Sequence, residues 1–195
     1  MIDPSASPRT DEDEDEDEDE STSLARNVAE WVAILLGALV VALLVTRFLV
    51  QAFFIPSLSM APTLEVNDRV LVNKLSYDLH DVNRGDVIVF ERPPQEAESD
   101  IKDLIKRVVA LPGDTIGDQD GRLIINGAPL EEPYLQSGDT TTNVASQTIP
   151  PGHVFVMGDN RNDSRDSRYF GPLSEELIVG RAFVKLWPLT DLSLL

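Results

Sequence analysis

Two serines stand two residues apart in segment 55–64, which reads IPSLSMAPTL. Pro56 and Pro62 flank Ser57 and Ser59, and their rings restrict the backbone in a way that suits a rigid, exposed turn. A serine hydroxyl is a poor nucleophile until a base takes its proton. Histidine is the usual base, but His80 and His153 each lie in a turn-like stretch with no orienting partner nearby, and both read as surface residues. Lysine is the known alternative. It serves only when neutral near working pH, and burial achieves this because desolvation disfavours the charged form. Segment 104–114, LIKRVVALPGD, offers such a lysine. If 101–110 is a strand, alternation sets Leu104, Lys106, Val108 and Ala110 on one face. Lys106 is then the one polar group in an apolar row. Lys102 shares its parity but starts the strand, within reach of water. Arg107 points the opposite way, to water or a carboxylate. A third segment, 158–168 (GDNRNDSRDSR), is a dense polar loop. Taken singly, a strand lysine more often snorkels at a sheet edge. Two serines among prolines, or a polar loop, are more often plain connections.

The elements that must position these groups are short strands. Segments 69–75 (RVLVNKL), 86–91, 101–110, 154–157 and 178–187 have strand composition, and 123–125 with a turn at Gly127 suggests a hairpin. Residues 174–177 suit one helical turn, and 130–151 read as a loop. Gly and Pro punctuate nearly every junction. The expected fold is mostly β, a compact barrel or sandwich rather than α/β, over 55–195.

Two segments precede it. Residues 31–46 are sixteen positions without a charge, and the apolar stretch continues across Arg47 and Gln51 to Ile55. A bilayer core takes about 20 apolar residues as a helix. A buried core helix would need more protein around it, and a cleaved signal peptide would follow basic residues, not acidic ones. Residues 27–54 are therefore expected to be a single retained transmembrane helix. Residues 1–26 hold alternating Asp and Glu that repel one another and almost nothing apolar, so a disordered acidic tail is expected there. The formal charge of −18 is half tail: residues 1–27 carry −9. The remainder is moderately acidic, with no basic patch to suit nucleic acid. Cysteine is absent, which excludes a disulfide framework, a thiolate nucleophile and a zinc–cysteine site. Without HExxH or a histidine cluster, neither metal nor cofactor is expected.

Segments 55–64, 104–114 and 158–168, with GDVIVF at 85–90, resemble in this order the type I signal peptidases, membrane-bound Ser-Lys endopeptidases. The resemblance covers most of 53–188. It implies a catalytic domain of the LexA/signal-peptidase type and an activity, removal of signal peptides from exported preproteins after small-x-small sites such as Ala-x-Ala, through an acyl-enzyme. The family motif places the nucleophile directly before Met, which is Ser59 here, with Lys106 as its base. Ser57 matches the hydroxyl that forms the oxyanion hole with the Ser59 backbone N–H. Ser164 matches a serine that hydrogen-bonds the lysine, Asp166 and Arg168 a supporting pair, and Asp159 a supporting acid. A bare carboxylate would raise the pKa of Lys106, so Asp159 and Asp166 are expected to pair with arginines. Ile55, Pro56, Met60, Leu64, Asp103, Leu104 and Ile105 match substrate-binding positions, the substrate lying as an added strand. The resemblance also implies a lipid bilayer as partner, a cell-membrane location, a cytoplasmic N-terminus and an extracytoplasmic catalytic domain. The charges flanking the span leave that orientation open. Ser59 lies thirteen residues after Thr46, which at about 3.5 Å per residue keeps it close to the bilayer. The alternatives are a LexA-like self-cleaving protein, which would need a DNA-binding region where this chain has its apolar span, and a non-catalytic anchored β-domain, which would need neither Ser59 nor Lys106.

Overall fold

The computed structural model describes residues 12–96 and 101–195. The chain divides into two compact units, Met1–Thr46 and Arg47–Leu195. The first is helix α1, Glu12–Phe48 in full. Within it Arg26–Val45 is long and apolar enough to cross a membrane, and its side chains are exposed. Two boundaries differ from the sequence expectation. Residues 1–11 of the expected disordered tail lie outside the described residues, but from Glu12 the acidic stretch is helical rather than disordered. Glutamate is a good helix former, and acids at a helix N-terminus complement its dipole. Once the apolar helix supplies the nucleus, extension costs little per residue. At the other end the helix stops at Phe48. Val50–Phe54, expected as its last turns, is strand β1. Periodicity cannot tell a short apolar run in a helix from one in a strand. Pairing of Val50–Phe54 with Asn73–Arg69 decides it.

The second unit is all antiparallel sheet with short helical turns. The strands after β1 are β2 (Arg69–Asn73), β3 (Val87–Glu91), β4 (Asp103–Ala110), β5 (Thr115–Gln119), β6 (Arg122–Ile125), β7 (Ala128–Pro129), β8 (Gln147–Thr148), β9 (His153–Met157), β10 (Leu173–Ser174), β11 (Ile178–Trp187) and β12 (Ser193–Leu194). Helices α2 (Ser76–Leu79) and α3 (Ser167–Phe170) are single turns. The larger sheet runs β1-β2-β11-β3-β4-β9-β10, with β12 on β11 beyond the end of β3. The smaller runs β7-β6-β5-β8. Its two hairpins close on Asp120-Gly121 and Asn126-Gly127, all four residues at positive φ, the conformation that two-residue hairpin turns demand. The fold is mostly β as expected. The Gly127 hairpin and 178–187 stand where the sequence placed them, and the 174–177 turn forms at Glu175–Leu177.

Strand β4 contributes to all three hydrophobic clusters. Ile105 packs with Ile55, Met60, Leu64, Val70 and Val89. Val109 and Ala110 pack with the smaller sheet through Ile116 and Leu123. Val108 packs with Ile88, Phe90, Val154 and Phe170 on the remaining face. Each such side chain stabilises the fold by about 1.5–3 kcal/mol when fully buried. This placement makes β4 rigid along its length, which a residue in its middle inherits.

The bend that carries β11 from β3 across to β2 depends on Gly180. It lies at a register shift, and a Cβ there would collide with the carbonyl of Asn73 and the side chain of Val72. Because the obstacle is backbone, it cannot move aside cheaply. Gly180→Ala is expected to cost about 1–3 kcal/mol, the usual cost of overpacking, read as a lowered urea midpoint with an unchanged m-value.

Candidate active site

The turn after β1 is held from both sides. Ile55 N–H donates to Asp68 O and Asn67 N–H to Ile55 O, both at 3.0 Å. Leu64 N–H then donates to Met60 O at 2.9 Å, one helical turn that points Met60 and Leu64 the same way. Both side chains are fully buried in the first cluster. Neither is among the residues that line the cleft described below. They anchor the turn, and Ser57 and Ser59 remain on its open side.

Lys106 reaches Ser59 from β4. Its Nζ donates to Ser59 Oγ at 2.7 Å and to Ile105 O at 2.8 Å. The residue is 3% exposed, and burial pulls its pKa down to about 8 against the opposing pull of Asp166 and Asp159. When the amine is neutral, the same 2.7 Å contact lets the Ser59 hydroxyl donate to the nitrogen lone pair. Ser57 Oγ stands 3.4 Å from Ser59 Oγ.

The two carboxylates near the lysine are each gripped by an arginine. Arg107 takes Asp159 in a fork, Nε to Oδ1 at 2.9 Å and Nη2 to Oδ2 at 2.7 Å. Thr63 Oγ1 donates to the same carboxylate at 2.5 Å. Arg168 takes Asp166 likewise, Nε to Oδ1 and Nη2 to Oδ2, both at 2.9 Å. Asp166 also caps α3 and accepts from Gly158 N–H at 3.1 Å. The expected Asp–Arg pairing is thus present at both positions, and Arg107 does point to a carboxylate. Bidentate pairs of this kind hold both position and charge.

Gly158 lets the loop come this close. A Cβ on it would strike the Ser59 carbonyl and the Ser164 side chain. Asn160 N–H donates to Ser59 O at 3.1 Å, and Asn160 Nδ2 to Leu58 O at 3.2 Å, tying the loop to the Ser59 turn. Ser164 departs from expectation. Its Oγ is buried without a hydrogen-bond partner, and the expected bond to Lys106 is not made. Close packing on Gly158 directs the hydroxyl there, while the lysine is already engaged by Ser59 and Ile105.

A cleft of about 400 Å³, open to solvent, runs along the pair. Its walls include Phe53, Ile55, Pro56, Ser57, Asp103, Leu104 and Ile105, with Ser59 and Lys106 beside them. Five of the seven expected substrate positions line it, Ile55, Pro56, Asp103, Leu104 and Ile105. Neither histidine does. The β9 ladder covers only Arg107–Ala110, so the 103–106 edge of β4 on that side has no strand partner among the described residues. Sequence reasoning missed Thr63, Arg161, Glu132, Tyr134 and Thr141. The last three come from the 130–151 connection, whose composition signals only a loop. No group of side chains suited to a metal is found among the described residues.

The profile of the family described as "Signal peptidase, peptidase S26" matches residues 28–187. A signal peptidase I from Leptolyngbya laminosa is 44% identical over 159 residues, 80% of this chain and 78% of that protein. Signal peptidase IB of Staphylococcus aureus (strain COL) is 33% identical over 185 residues, 86% of this chain and 94% of the other. A crystal structure of a signal peptidase I from Enterococcus faecalis V583 matches at 32% identity and a TM-score of 0.42, covering 52% of this chain and 97% of that one. With a profile match over most of its length and relatives of which it covers 78% and 94%, the chain belongs to the signal peptidase I family, serine peptidases that remove signal peptides.

Proposed function

We propose that the chain cleaves signal peptides with a Ser59–Lys106 dyad, cutting preproteins after small-x-small sites while held to a membrane by Arg26–Val45. The observation that carries the reading is the 2.7 Å contact between a buried lysine and a serine at the edge of an apolar cleft. Neutral Lys106 accepts the Ser59 proton as Oγ attacks the scissile carbonyl. The negative charge moves to the carbonyl oxygen, where Ser57 Oγ and the Ser59 N–H are the donors. Each such donor is worth about 2.7–4 kcal/mol. The C–N bond then breaks, and the Lys106 ammonium returns its proton to the leaving amine. Hydrolysis of the ester repeats the sequence with water: Lys106 takes a water proton, the C–Oγ bond breaks, and the proton goes back to Ser59.

Substrate geometry follows from the unpaired 103–106 edge, which offers backbone groups to an extended peptide. The bulky walls of Ile55, Leu104 and Ile105 leave room for small side chains. Helix α1 supports the anchor: its span is apolar and exposed, and such a surface needs lipid. On this reading the N-terminus is cytoplasmic, the sheet unit is extracytoplasmic, and no cofactor is needed.

Three outcomes are expected in detergent micelles with a preprotein carrying an Ala-x-Ala site. Ser59→Ala and Lys106→Ala should each lower kcat by about 10⁴-fold or more, as for members of other nucleophile–base units, with circular dichroism unchanged. A wild type that folds yet never cuts would leave the scaffold reading instead, and cutting that survives Lys106→Ala would mean another base. Because the neutral amine is the active form, kcat/KM should rise with pH through a midpoint near 8, and a flat profile from pH 6 to 9 would contradict Lys106 as base. Gly158→Ala, which pushes on the Ser59 carbonyl, should reduce kcat by about 10²-fold with KM little altered, the effect of a displacement of order 1 Å.

A further inference from the structure

The connection between β7 and β8, residues 130–146, sends three side chains into the back of the site. Glu132 receives Arg161, with Nη1 donating to Oε2 at 3.2 Å and Nη2 to Oε1. Thr141 accepts from the same guanidinium. Tyr134 OH donates to Glu132 Oε1 at 2.8 Å. The Tyr134 ring covers the Arg107 guanidinium, with the central carbon 4.1 Å from the ring centroid. Arg161 in turn donates from Nε to Gly158 O at 3.0 Å, and its own carbonyl accepts from Arg168 Nη2 at 2.8 Å. Arg161 and Glu132 are both buried, with side chains 0% and 7% exposed. None of the three arm residues bonds to Ser59 or Lys106. They bear on Arg107, which neutralises Asp159, and on Arg161, whose carbonyl receives Arg168.

Several charged groups among the described residues stand around Lys106. Asp159 and Asp166 face it from the 158–168 loop, with Arg107 and Arg168 as their partners. Arg161 and Glu132 stand behind these, and Asp103 lies at the cleft on β4 itself. An aromatic face over a desolvated guanidinium attracts the cation and keeps water from it. A dry, fixed Arg107 offsets much of the Asp159 charge. A hydrated, rotating one offsets less, and the uncompensated carboxylate then holds a proton on Lys106.

We propose that Tyr134 is a positioning residue of the peptidase reaction: its ring face locks Arg107 onto Asp159 and so lets Lys106 give up its proton at working pH. The proposal deepens the Ser-Lys reading and rests on it. Tyr134 touches neither substrate nor the reacting atoms. Its effect passes through Arg107 and Asp159 alone.

The test uses the full chain in micelles with Tyr134→Phe and Tyr134→Leu. Phenylalanine keeps the ring face, whereas leucine fills the space without it and keeps the core packed. Two readouts are taken: the pH dependence of kcat/KM on a preprotein, and the NMR titration of ¹³C-labelled Lys106 in a Ser59→Ala background, which needs no activity. Tyr134→Leu is expected to raise both midpoints by about one pH unit, a partial loss of charge compensation, and to lower kcat/KM at pH 7 about tenfold with little change in KM. Tyr134→Phe is expected to titrate within about 0.3 unit of wild type, far less than the shift from an uncompensated charge. A folded Tyr134→Leu with the wild-type midpoint overturns the proposal, and so does a Phe variant displaced as far as Leu. If the Ser-Lys reading itself is wrong, Lys106→Ala still cleaves, and the NMR titration reports separately whether Tyr134 acts on the lysine.

Discussion

An amine taken out of water is the constraint on which this site depends. In its proposed role as base, Lys106 needs its charged form disfavoured, and burial at the middle of β4 provides that. Polar chemistry nearby works against it. Asp159 and Asp166 both favour the ammonium, yet both are needed, one to hold Arg107 and Thr63, the other to cap α3 and hold Gly158. The conflict is resolved by giving each carboxylate its own guanidinium fork. Desolvation then outweighs the residual pull of the acids, and the pKa settles near 8 rather than at the ordinary lysine value.

Packing translates this balance into geometry. Because β4 contributes to three hydrophobic clusters, Lys106 cannot swing away from Ser59 without disturbing both sheets. The turn that carries Ser59 has no regular secondary structure to stiffen it. Met60 and Leu64 supply that stiffness by filling the first cluster beneath it, and Asn160 ties it from above. At Gly158 the two sides meet with no room for a methyl group. Among the described residues of the loop, the Ser164 hydroxyl beside it is the one buried side-chain polar atom without a hydrogen-bond partner.

The smaller sheet gains a purpose in this arrangement. Its core is shared with β4 and β9, and the connection that leaves it carries Glu132, Tyr134 and Thr141 to the arginines behind the lysine. Buried ion pairs such as Arg161–Glu132 contribute little net stability, since desolvation offsets their attraction. Their value lies in fixing one arrangement of a charged loop.

What sequence alone determined was local and chemical. Strand alternation around Lys106 placed it in an apolar row, the IPSLSMAPTL stretch marked a turn carrying Ser57 and Ser59, and the need to shield carboxylates demanded arginine partners before any pairing was visible. Those follow from period-2 geometry and from the cost of charge in a low dielectric. Boundaries that depend on a distant partner were not legible. Val50–Phe54 is a strand only because β2 pairs with it, and Met60 and Leu64 are core only because the turn folds them inward. Asp120-Gly121 did carry a hairpin signal, yet β5 was not read from it. The acidic stretch from Glu12 is helical because the apolar helix behind it supplies a nucleus that its own repelling charges would not. That Arg107 meets Asp159, that Arg161 meets Glu132, and that a tyrosine from a loop covers Arg107 was decided by tertiary structure alone: these contacts join residues 27 to 52 positions apart, and no local pattern encodes so long a closure.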